Sequence, residues 1–292
     1  LYSKSMINTV YIAQAGLVFF IICLAIVLSN RYAQALKTSA RRTQLEEELI
    51  IARKIQQKLL PVEIPDSSFF SHSSRYIPVD TVGGDFYDIF ENDERLLLFI
   101  ADVSGHGLPG AFLSLITKMS LESIVKSEIG KNPAEILEAL NTTIYNYTVN
   151  SNFVTAFLGS IDKQTKTFTF AKAGHMPPLI YRKKTKQFLD VTLKGRAMGW
   201  FDTVAAFAFE INLQEGDRIV LYTDGITENR NSGGELFGEK RLKELIEKYA
   251  QDTPENFSTK LMKELEKHNN LNNFEDDITL LVVDINHFFI GN

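Results

Sequence analysis

Hydrophobic and polar residues follow a different pattern in each of three parts of this chain of 292 residues. Residues 6–30 contain no charged side chain, and residues 17–28 are all apolar. A helix of about 20 apolar residues is long enough to cross the hydrocarbon layer of a membrane, which is roughly 30 Å thick. The pattern therefore predicts a transmembrane helix in residues 1–30.

The basic residues around this segment predict its orientation. Lys4 precedes it, and four basic residues follow within residues 31–42. Because basic residues are enriched on the cytoplasmic side, we expect a single-pass protein of the inner, or cytoplasmic, membrane with its C-terminal part in the cytoplasm. A signal peptide is the alternative, although no small-residue cleavage site follows, and the length disfavours a buried helix of a soluble protein. Since the first residue is Leu1, we expect a longer protein.

Residues 31–60 are polar and predict a linker helix. Along one edge, mainly apolar residues recur at steps of four and three, which is the spacing of a short heptad seam. They are Leu45, Leu49, Ala52, Gln56 and Leu59. We interpret this segment as a coiled-coil switch helix that forms a homodimer and joins the membrane to the next domain. The alternative is that its apolar edge packs on that domain. If the helix switches partners, it forms the dimer in one state and packs on the domain in the other.

Residues 61–292 contain short strand-like and helix-like patterns and are interpreted as one domain. Strands joined by short turns indicate hairpins, and the helical segments are grouped in pairs. We therefore expect an α/β (α+β) fold in which antiparallel sheets are covered by helices. The predicted strands are 85–90, 95–103, 153–161, 167–173, 179–182, 187–189, 205–211, 218–222 and 278–284, and the predicted helices are 108–127, 133–147, 239–249 and 254–268.

Composition narrows the function classes. The net charge is −5, so no basic surface is expected and nucleic acid is not a predicted partner. The single cysteine, Cys23, lies within the apolar segment. A disulfide framework and a Cys/His zinc site are both excluded, which fits a reducing compartment for the part outside the membrane.

Acidic residues stand at the ends of several strand-like segments. Asp102 lies near the end of the apolar segment 95–103, Asp224 follows a similar segment, and Asp85 and the pair Asp276-Asp277 precede strands. Carboxylates that a fold gathers without neighbouring cations repel one another, and hard divalent cations with oxygen ligands remove that penalty. We therefore predict a metal-dependent enzyme in which two ions polarise a shared water for attack on a phosphate ester.

Five short motifs occur in order within residues 45–285. They are Gly83-Gly84-Asp85-Phe86-Tyr87-Asp88, Ala101-Asp102-Val103-Ser104-Gly105-His106-Gly107, Ala173-Gly174-His175-Met176-Pro177-Pro178, Tyr222-Thr223-Asp224-Gly225-Ile226-Thr227-Glu228 and Asp276-Asp277-Ile278-Thr279. Each motif alone is a weak signal. Together they resemble the PPM family of metal-dependent serine/threonine protein phosphatases, and within it the SpoIIE-like and RsbU-like bacterial branch.

The resemblance implies an α-β-β-α sandwich, in which two mainly antiparallel sheets are flanked by helices and two manganese or magnesium ions lie between the sheets. It implies that Asp102 bridges both ions. Asp85 and the Val103 carbonyl complete the protein ligands of one ion, and Asp224 and Asp276 hold the other. Relatives often have asparagine at the position of Asp277, so we treat this residue as a neighbour of the ligands.

Other residues in or near these motifs have alternative roles. Asp102 and His106 are the predicted catalytic residues, with His106 as candidate general acid; alternatively, His106 caps the helix that follows. Arg75 is a candidate, by position only, for the arginine with which classical members bind the phosphoryl group. Asp88 either belongs to a turn or holds a metal-bound water. We interpret His175 as fixing a loop rather than acting in catalysis.

The resemblance implies hydrolysis of phosphoserine or phosphothreonine in a regulator protein of the anti-sigma-factor-antagonist type, regulated through the linker helix. Two alternatives come from other classes. Gly83-Gly84-Asp85-Phe86 resembles the Gly-Gly-Asp-Glu-Phe signature of diguanylate cyclases but lacks its glutamate. A degenerate phosphatase would bind its partner without turnover, and the complete set of predicted ligands argues against this alternative.

Overall fold

The computed structural model describes residues 2–58, 61, 67–105, 107–128, 131–148, 152–269 and 274–286. The chain forms two compact units, residues 1–51 and 52–292. A single helix, α1 (Tyr2–Gln57), makes up the first unit and extends into the first residues of the second. The apolar segment and the polar segment predicted from the sequence are therefore parts of one uninterrupted helix.

Helix α1 is long and apolar enough to cross a membrane. Between Gly16 and Gln56 it contains an 18-residue window with a mean hydropathy of 1.9. Its side chains at residues 17–28 are exposed, apart from the half-buried Cys23. The helix over Leu108–Ser127 has a mean hydropathy of only 1.2 and contributes buried side chains to a core, as a helix of a globular domain does.

In the described part of the second unit, ten strands form two five-stranded sheets in which every pairing is antiparallel. The strands are β1 (Phe70–Ile77), β2 (Phe86–Glu91), β3 (Arg95–Val103), β4 (Val154–Asp162), β5 (Thr167–Ala173), β6 (Leu179–Arg182), β7 (Gln187–Phe188), β8 (Phe209–Asn212), β9 (Asp217–Tyr222) and β10 (Ile278–Ile285). Sheet 1 has the order β1-β10-β9-β6-β7, and sheet 2 has the order β2-β3-β4-β5-β8.

Helices cover the outer faces of the two sheets. They are α2 (Leu108–Glu128), α3 (Pro133–Tyr145), α4 (Asp224–Thr227), α5 (Gly238–Lys248) and α6 (Pro254–His268). One hydrophobic cluster joins α2 and α3 to sheet 2, a second fills the space between the sheets, and a third joins α5 and α6 to sheet 1. This arrangement is an α-β-β-α sandwich, which confirms the predicted fold.

Strand β3 shows how the sequence produces these layers. Within residues 96–101, the even-numbered side chains lie in the cluster between the sheets, and the odd-numbered ones lie in the cluster beneath α2 and α3. All six are fully buried. Burial of a leucine-sized side chain contributes about 1.5–3 kcal/mol. The continuous apolar sequence therefore follows from the alternation of side chains between two cores.

Two features of the sheets differ from the sequence-based expectation. Strand β1 was not predicted because its sequence is polar, and it pairs along its whole length with β10. The predicted strand 205–211 begins only at Phe209. Ala205 has a φ of 50°, and the backbone N–H groups of Val204 and Ala205 donate to the Glu138 carboxylate at 3.0 and 2.8 Å. This loop is thus anchored to α3 before it can join sheet 2.

Candidate metal centre

The strand topology brings the predicted acidic residues to one edge of the sandwich. Strands β2 and β3 pair in a register that places Asp85 beside Asp102 in sheet 2. In sheet 1, Asp224 follows β9 and Asp276 precedes β10, and these two strands are antiparallel neighbours. The edge opens into a cavity of about 580 Å³ lined by Asp102, Val103, Asp224 and Asp276. Residues from three separate motifs therefore line one cavity, and Asp85 of a fourth lies beside Asp102.

Asp85 links the two sheets at this edge. It is 2% exposed, and its Oδ2 accepts hydrogen bonds from the hydroxyls of Thr223 and Thr279, each at 2.7 Å. Both threonines belong to the chain segments of sheet 1. Burial and then repulsion from Asp102 raise the pKa of Asp85 well above its ordinary value, while the two hydroxyls oppose that shift.

Asp102 and Asp224 are half-buried carboxylates with strongly raised pKa values. Burial, followed by repulsion from Asp224 and Asp276, raises the pKa of Asp102 to about 7. Burial, followed by repulsion from Asp276 and Glu228, raises the pKa of Asp224 to about 6. Each carboxyl group thus disfavours ionisation of the others, which is the signature of negative charge concentrated without a counter-ion.

Asp277 organises the neighbouring loop. Its Oδ1 accepts a hydrogen bond from Val79 N at 2.8 Å, and its Oδ2 accepts from Gly84 N at 2.7 Å and Asp85 N at 3.3 Å. The carboxylate is 7% exposed. Its oxygens are already engaged with backbone donors, which agrees with its treatment as a neighbour of the proposed ligands.

Two glycines permit the close approach of these loops. A Cβ at Gly84 would lie 2.7 Å from the Val103 carbonyl oxygen, a predicted ligand, and a Cβ at Gly225 would lie 2.0 Å from the Asp277 carbonyl oxygen. Real side chains do not tolerate such separations from backbone atoms. Glycine at these positions is therefore required for the observed geometry.

The donor set suits a divalent oxygen-seeking cation. The groups that shift the pKa values of Asp85, Asp102 and Asp224 include neighbouring carboxylates and, among the described residues, neither lysine nor arginine. Magnesium and manganese prefer such carboxylate and carbonyl oxygens. In the described ranges, however, no three acidic, histidine or cysteine side chains lie close enough together to enclose an ion. The fit to a divalent cation therefore rests on the chemistry of these oxygen donors and on their shared cavity.

Three sequence-based assignments concern residues beside this centre. His106 lies outside the described residues, so its assignment stays a prediction. Arg75 does not line the cavity; it lies on β1 and donates to Glu255 and to Thr259, at 3.2 Å, on α6. Asp88 lies within β2 rather than in a turn and forms a buried ion pair with Lys118 of α2, while its alternative role beside a metal-bound water stays a prediction.

The residues that hold the carboxylates in place were not predicted from the sequence. Thr223 and Thr279 are themselves part of the acidic motifs, and this position was the available signal. Lys118 gave no signal because a lysine within an amphipathic helix usually faces solvent. His175 is buried and hydrogen-bonded to two different strands, as described further below, so it does more than fix one loop.

Comparison with known proteins now assigns the family. The profile of the family described as Stage II sporulation protein E (SpoIIE) matches residues 92–286. The phosphoserine phosphatase RsbU of Bacillus subtilis (strain 168) is 31% identical over 246 residues, which cover 82% of this chain and 70% of that protein. The chain belongs to the SpoIIE family. Protein IcfG of Synechocystis sp. is 30% identical over 284 residues, covering 86% of this chain and 43% of IcfG.

Solved structures support the same fold. The SiaA-PP2C domain of Pseudomonas aeruginosa has a TM-score of 0.75 at 22% identity, covering 85% of this chain and 99% of that one. RsbX in complex with magnesium has a TM-score of 0.56 at 14% identity, covering 76% and 98%. Membership of the SpoIIE family confirms the predicted resemblance and the predicted enzyme class, protein phosphatase. Membership of this family favours a phosphatase over the diguanylate cyclase alternative.

Proposed function

We propose that this chain is a membrane-anchored, metal-dependent serine/threonine phosphatase that acts on a phosphorylated regulator protein. The observation that carries the proposal is the convergence of Asp102, Asp224 and Asp276 at one cavity edge. Asp85 lies buried beside Asp102, and burial and repulsion from neighbouring carboxylates raise the pKa values of Asp85, Asp102 and Asp224. RsbU and RsbP, two relatives from Bacillus subtilis, are named phosphoserine phosphatases. A substrate of the anti-sigma-factor-antagonist type is the class that we propose for this chain.

We propose two manganese or magnesium ions as the cofactor. Asp102 would contact both, Asp85 and the Val103 carbonyl would complete the protein ligands of one, and Asp224 and Asp276 would hold the other. When bound, such ions supply a Lewis acid that lowers the pKa of water and neutralises phosphate charge. Asp277 and the two threonines on Asp85 hold the loops and the carboxylate in position.

Metal dependence of turnover tests this function directly. The full chain, purified in detergent, is stripped with chelator and assayed on a phosphoserine protein and on p-nitrophenyl phosphate. We expect hydrolysis of both only after manganese or magnesium is restored. Undiminished turnover in excess chelator would eliminate the proposed mechanism, and binding of the phosphoprotein without turnover at any metal concentration would favour a degenerate phosphatase.

We further propose that the linker helix regulates this site. Gln56, in the last turn of α1, uses both atoms of its amide: Nε2 donates to Gly83 O at 2.6 Å, and Oε1 accepts from Gly83 N at 3.1 Å. Gly83 lies two residues before Asp85, so the end of the helix contacts the chain segment of a proposed ligand. A shift in the position of this helix end could thus be transmitted through Gly83 to Asp85 in the proposed metal centre.

The heptad seam supports a homodimer in this proposal. Leu45 is exposed and Leu49 is half-buried, whereas Leu59 lies outside the described residues. We expect Leu49→Asp to abolish the dimer, measured by light scattering, and to lower activity by about 5-fold or more, the lower end of usual coupling energies. Glu47→Gln on the same helix is the matched control. Equal activity of Leu49→Asp and the wild type, with the dimer lost, would refute regulation through the helix.

A further inference from the structure

His175 connects the two sheets beside the candidate metal centre. Its side chain is 3% exposed, and both ring nitrogens have partners. Nδ1 lies 2.9 Å from the hydroxyl of Thr155 in β4 of sheet 2. Nε2 lies 3.1 Å from the carbonyl oxygen of Tyr222, the last residue of β9 in sheet 1. The imidazole is therefore a rigid bridge between strands that belong to opposite sheets.

Both ends of this bridge lie next to proposed metal ligands. Thr155 is the register partner of Asp102 and lines the same cavity. Tyr222 stands two residues before Asp224 along the chain. Asp102 and Asp224, the two carboxylates that must share the ions, thus belong to neighbouring strand ends. The side chain of His175 spans the distance between these ends, from Thr155 to Tyr222.

The hydrogen-bond pattern defines the state of the ring. The Tyr222 carbonyl can only accept, so the proton must be on Nε2, and Nδ1 then accepts from the Thr155 hydroxyl. Burial, followed by repulsion from Lys172, lowers the pKa of His175 to about 4. The ring is accordingly neutral at physiological pH and adds no positive charge to the site that the cations would occupy.

We infer that His175 is a positioning residue, which fixes the distance between the Asp102 and Asp224 strand ends so that both can bind the same pair of ions. This inference rests on the proposed metal-dependent function. Hydrogen-bond partners around a metal site commonly change metal affinity by about 10–100-fold when they are removed. Because the bridge acts through two strands, its loss should weaken metal binding without removing any ligand.

The test removes the bridge from either end in the full-length protein. Thr155→Val deletes the hydroxyl, and His175→Gln retains a donor for the Tyr222 carbonyl but loses the bond to Thr155. Thr155→Ser keeps the hydroxyl and should restore binding. Ser160→Ala, which deletes another buried hydroxyl of β4 away from the cavity, is the matched control. Binding of manganese is measured by the decrease of the free-ion electron paramagnetic resonance signal.

We expect Thr155→Val and His175→Gln each to weaken manganese binding about tenfold. The double variant should bind manganese no more weakly than the weaker-binding single variant, because all three variants break the same link. Unchanged manganese affinity in both single variants, even with a lower melting temperature, would overturn the inference while leaving the proposed function intact. If the wild-type protein itself bound no manganese, the proposed function would fail and the inference with it.

Discussion

The carboxylates of the candidate centre form a buried pair and an open group of three, which differ in the hydrogen bonds that they already accept. Asp85 and Asp277 are 2% and 7% exposed, and their oxygens accept bonds from two threonine hydroxyls and three backbone N–H groups. Asp102 and Asp224 are half-buried and Asp276 is exposed; these three line the cavity. Asp277 therefore builds the site and the three open acids remain available to ions, while Asp85, also a proposed ligand, is held in place by the threonines on its Oδ2.

The largest expected loss of activity comes from substituting Asp102, one of the carboxylates that line the cavity. Asp102→Asn should lower manganese-dependent hydrolysis of a phosphoserine protein at least about 100-fold. Even the groups that only surround a metal's ligands account for up to about 100-fold, and Asp102 is the proposed bridging ligand. Steady-state rates over a range of manganese concentrations measure the loss. Asp93→Asn, in the exposed β2–β3 turn, is the control, and equal rates for the two variants would remove Asp102 from the metal site.

The neighbouring pair Asp276 and Asp277 offers the sharpest contrast. In metal-free protein, Asp277→Ala should lower the free energy of unfolding by about 3 kcal/mol, because it leaves three backbone donors without their acceptor. Asp276→Ala, at an exposed position, should change the free energy of unfolding by about 0.5 kcal/mol or less. It should nevertheless abolish binding of the manganese ion that Asp276 is proposed to hold. Urea denaturation in chelator measures the first quantity. Equal destabilisation by both substitutions would erase the distinction between buried and open acids.

The raised pKa of Asp102 predicts a pH dependence in the absence of metal. Its pKa is about 7 in the folded protein and 3.8 in an unperturbed chain, so the native state binds the proton more tightly. The contribution of Asp102 to stability is thus greatest below pH 3.8 and is lost as the pH rises towards 7. Because the effect is shared among coupled carboxylates, we expect about 2 kcal/mol.

The difference in stability between wild type and Asp102→Asn measures this contribution together with the coupling of Asp102 to its neighbouring carboxylates. His175, with a pKa lowered to about 4 from 6.5, contributes a slope of opposite sign between those two values. It is present in both proteins and cancels from the difference. Denaturation at several pH values in chelator should show that the advantage of wild type over Asp102→Asn falls with rising pH. A difference independent of pH would contradict the raised pKa.

The smallest expected effect concerns the bonds on Asp85. Thr279→Val removes one of two hydroxyl donors and should lower the free energy of unfolding by about 1 kcal/mol. Thr279→Ser retains the donor and serves as the control. Thermal unfolding in chelator is the measurement. If the valine variant were as stable as the serine variant, the bond from Thr279 would not contribute to holding Asp85.

Much of the fold followed from local patterns in the sequence. The continuous apolar run of β3 required two cores, and α6 begins and ends where it was predicted, at Pro254 and His268. The acidic motifs indicated that separate strand ends would meet. These features could be predicted because each depends on periodicity or on residues close together in the chain.

Other features depend on contacts that no local pattern encodes. Strand β1 forms because β10 provides a partner more than 200 residues later, in the register Phe70 with Ile285. Lys118 is buried because Asp88 of another element pairs with it. The link from Thr155 through His175 to Tyr222 joins three segments whose separation in sequence gives no indication of their proximity.

The position of β10 has a consequence for synthesis of the protein. This strand is the last one among the described residues, yet it lies between β1 and β9 in sheet 1, directly after the Asp276-Asp277 loop. A nascent chain on the ribosome therefore lacks both the partner of β1 and the anchor for Val79 and Gly84 until residues 277–285 have emerged. Pairings between distant segments also form slowly. The loop that carries Asp276 and Asp277 therefore joins the site only after β10 has been synthesised, and we expect products truncated before residue 276 to be inactive.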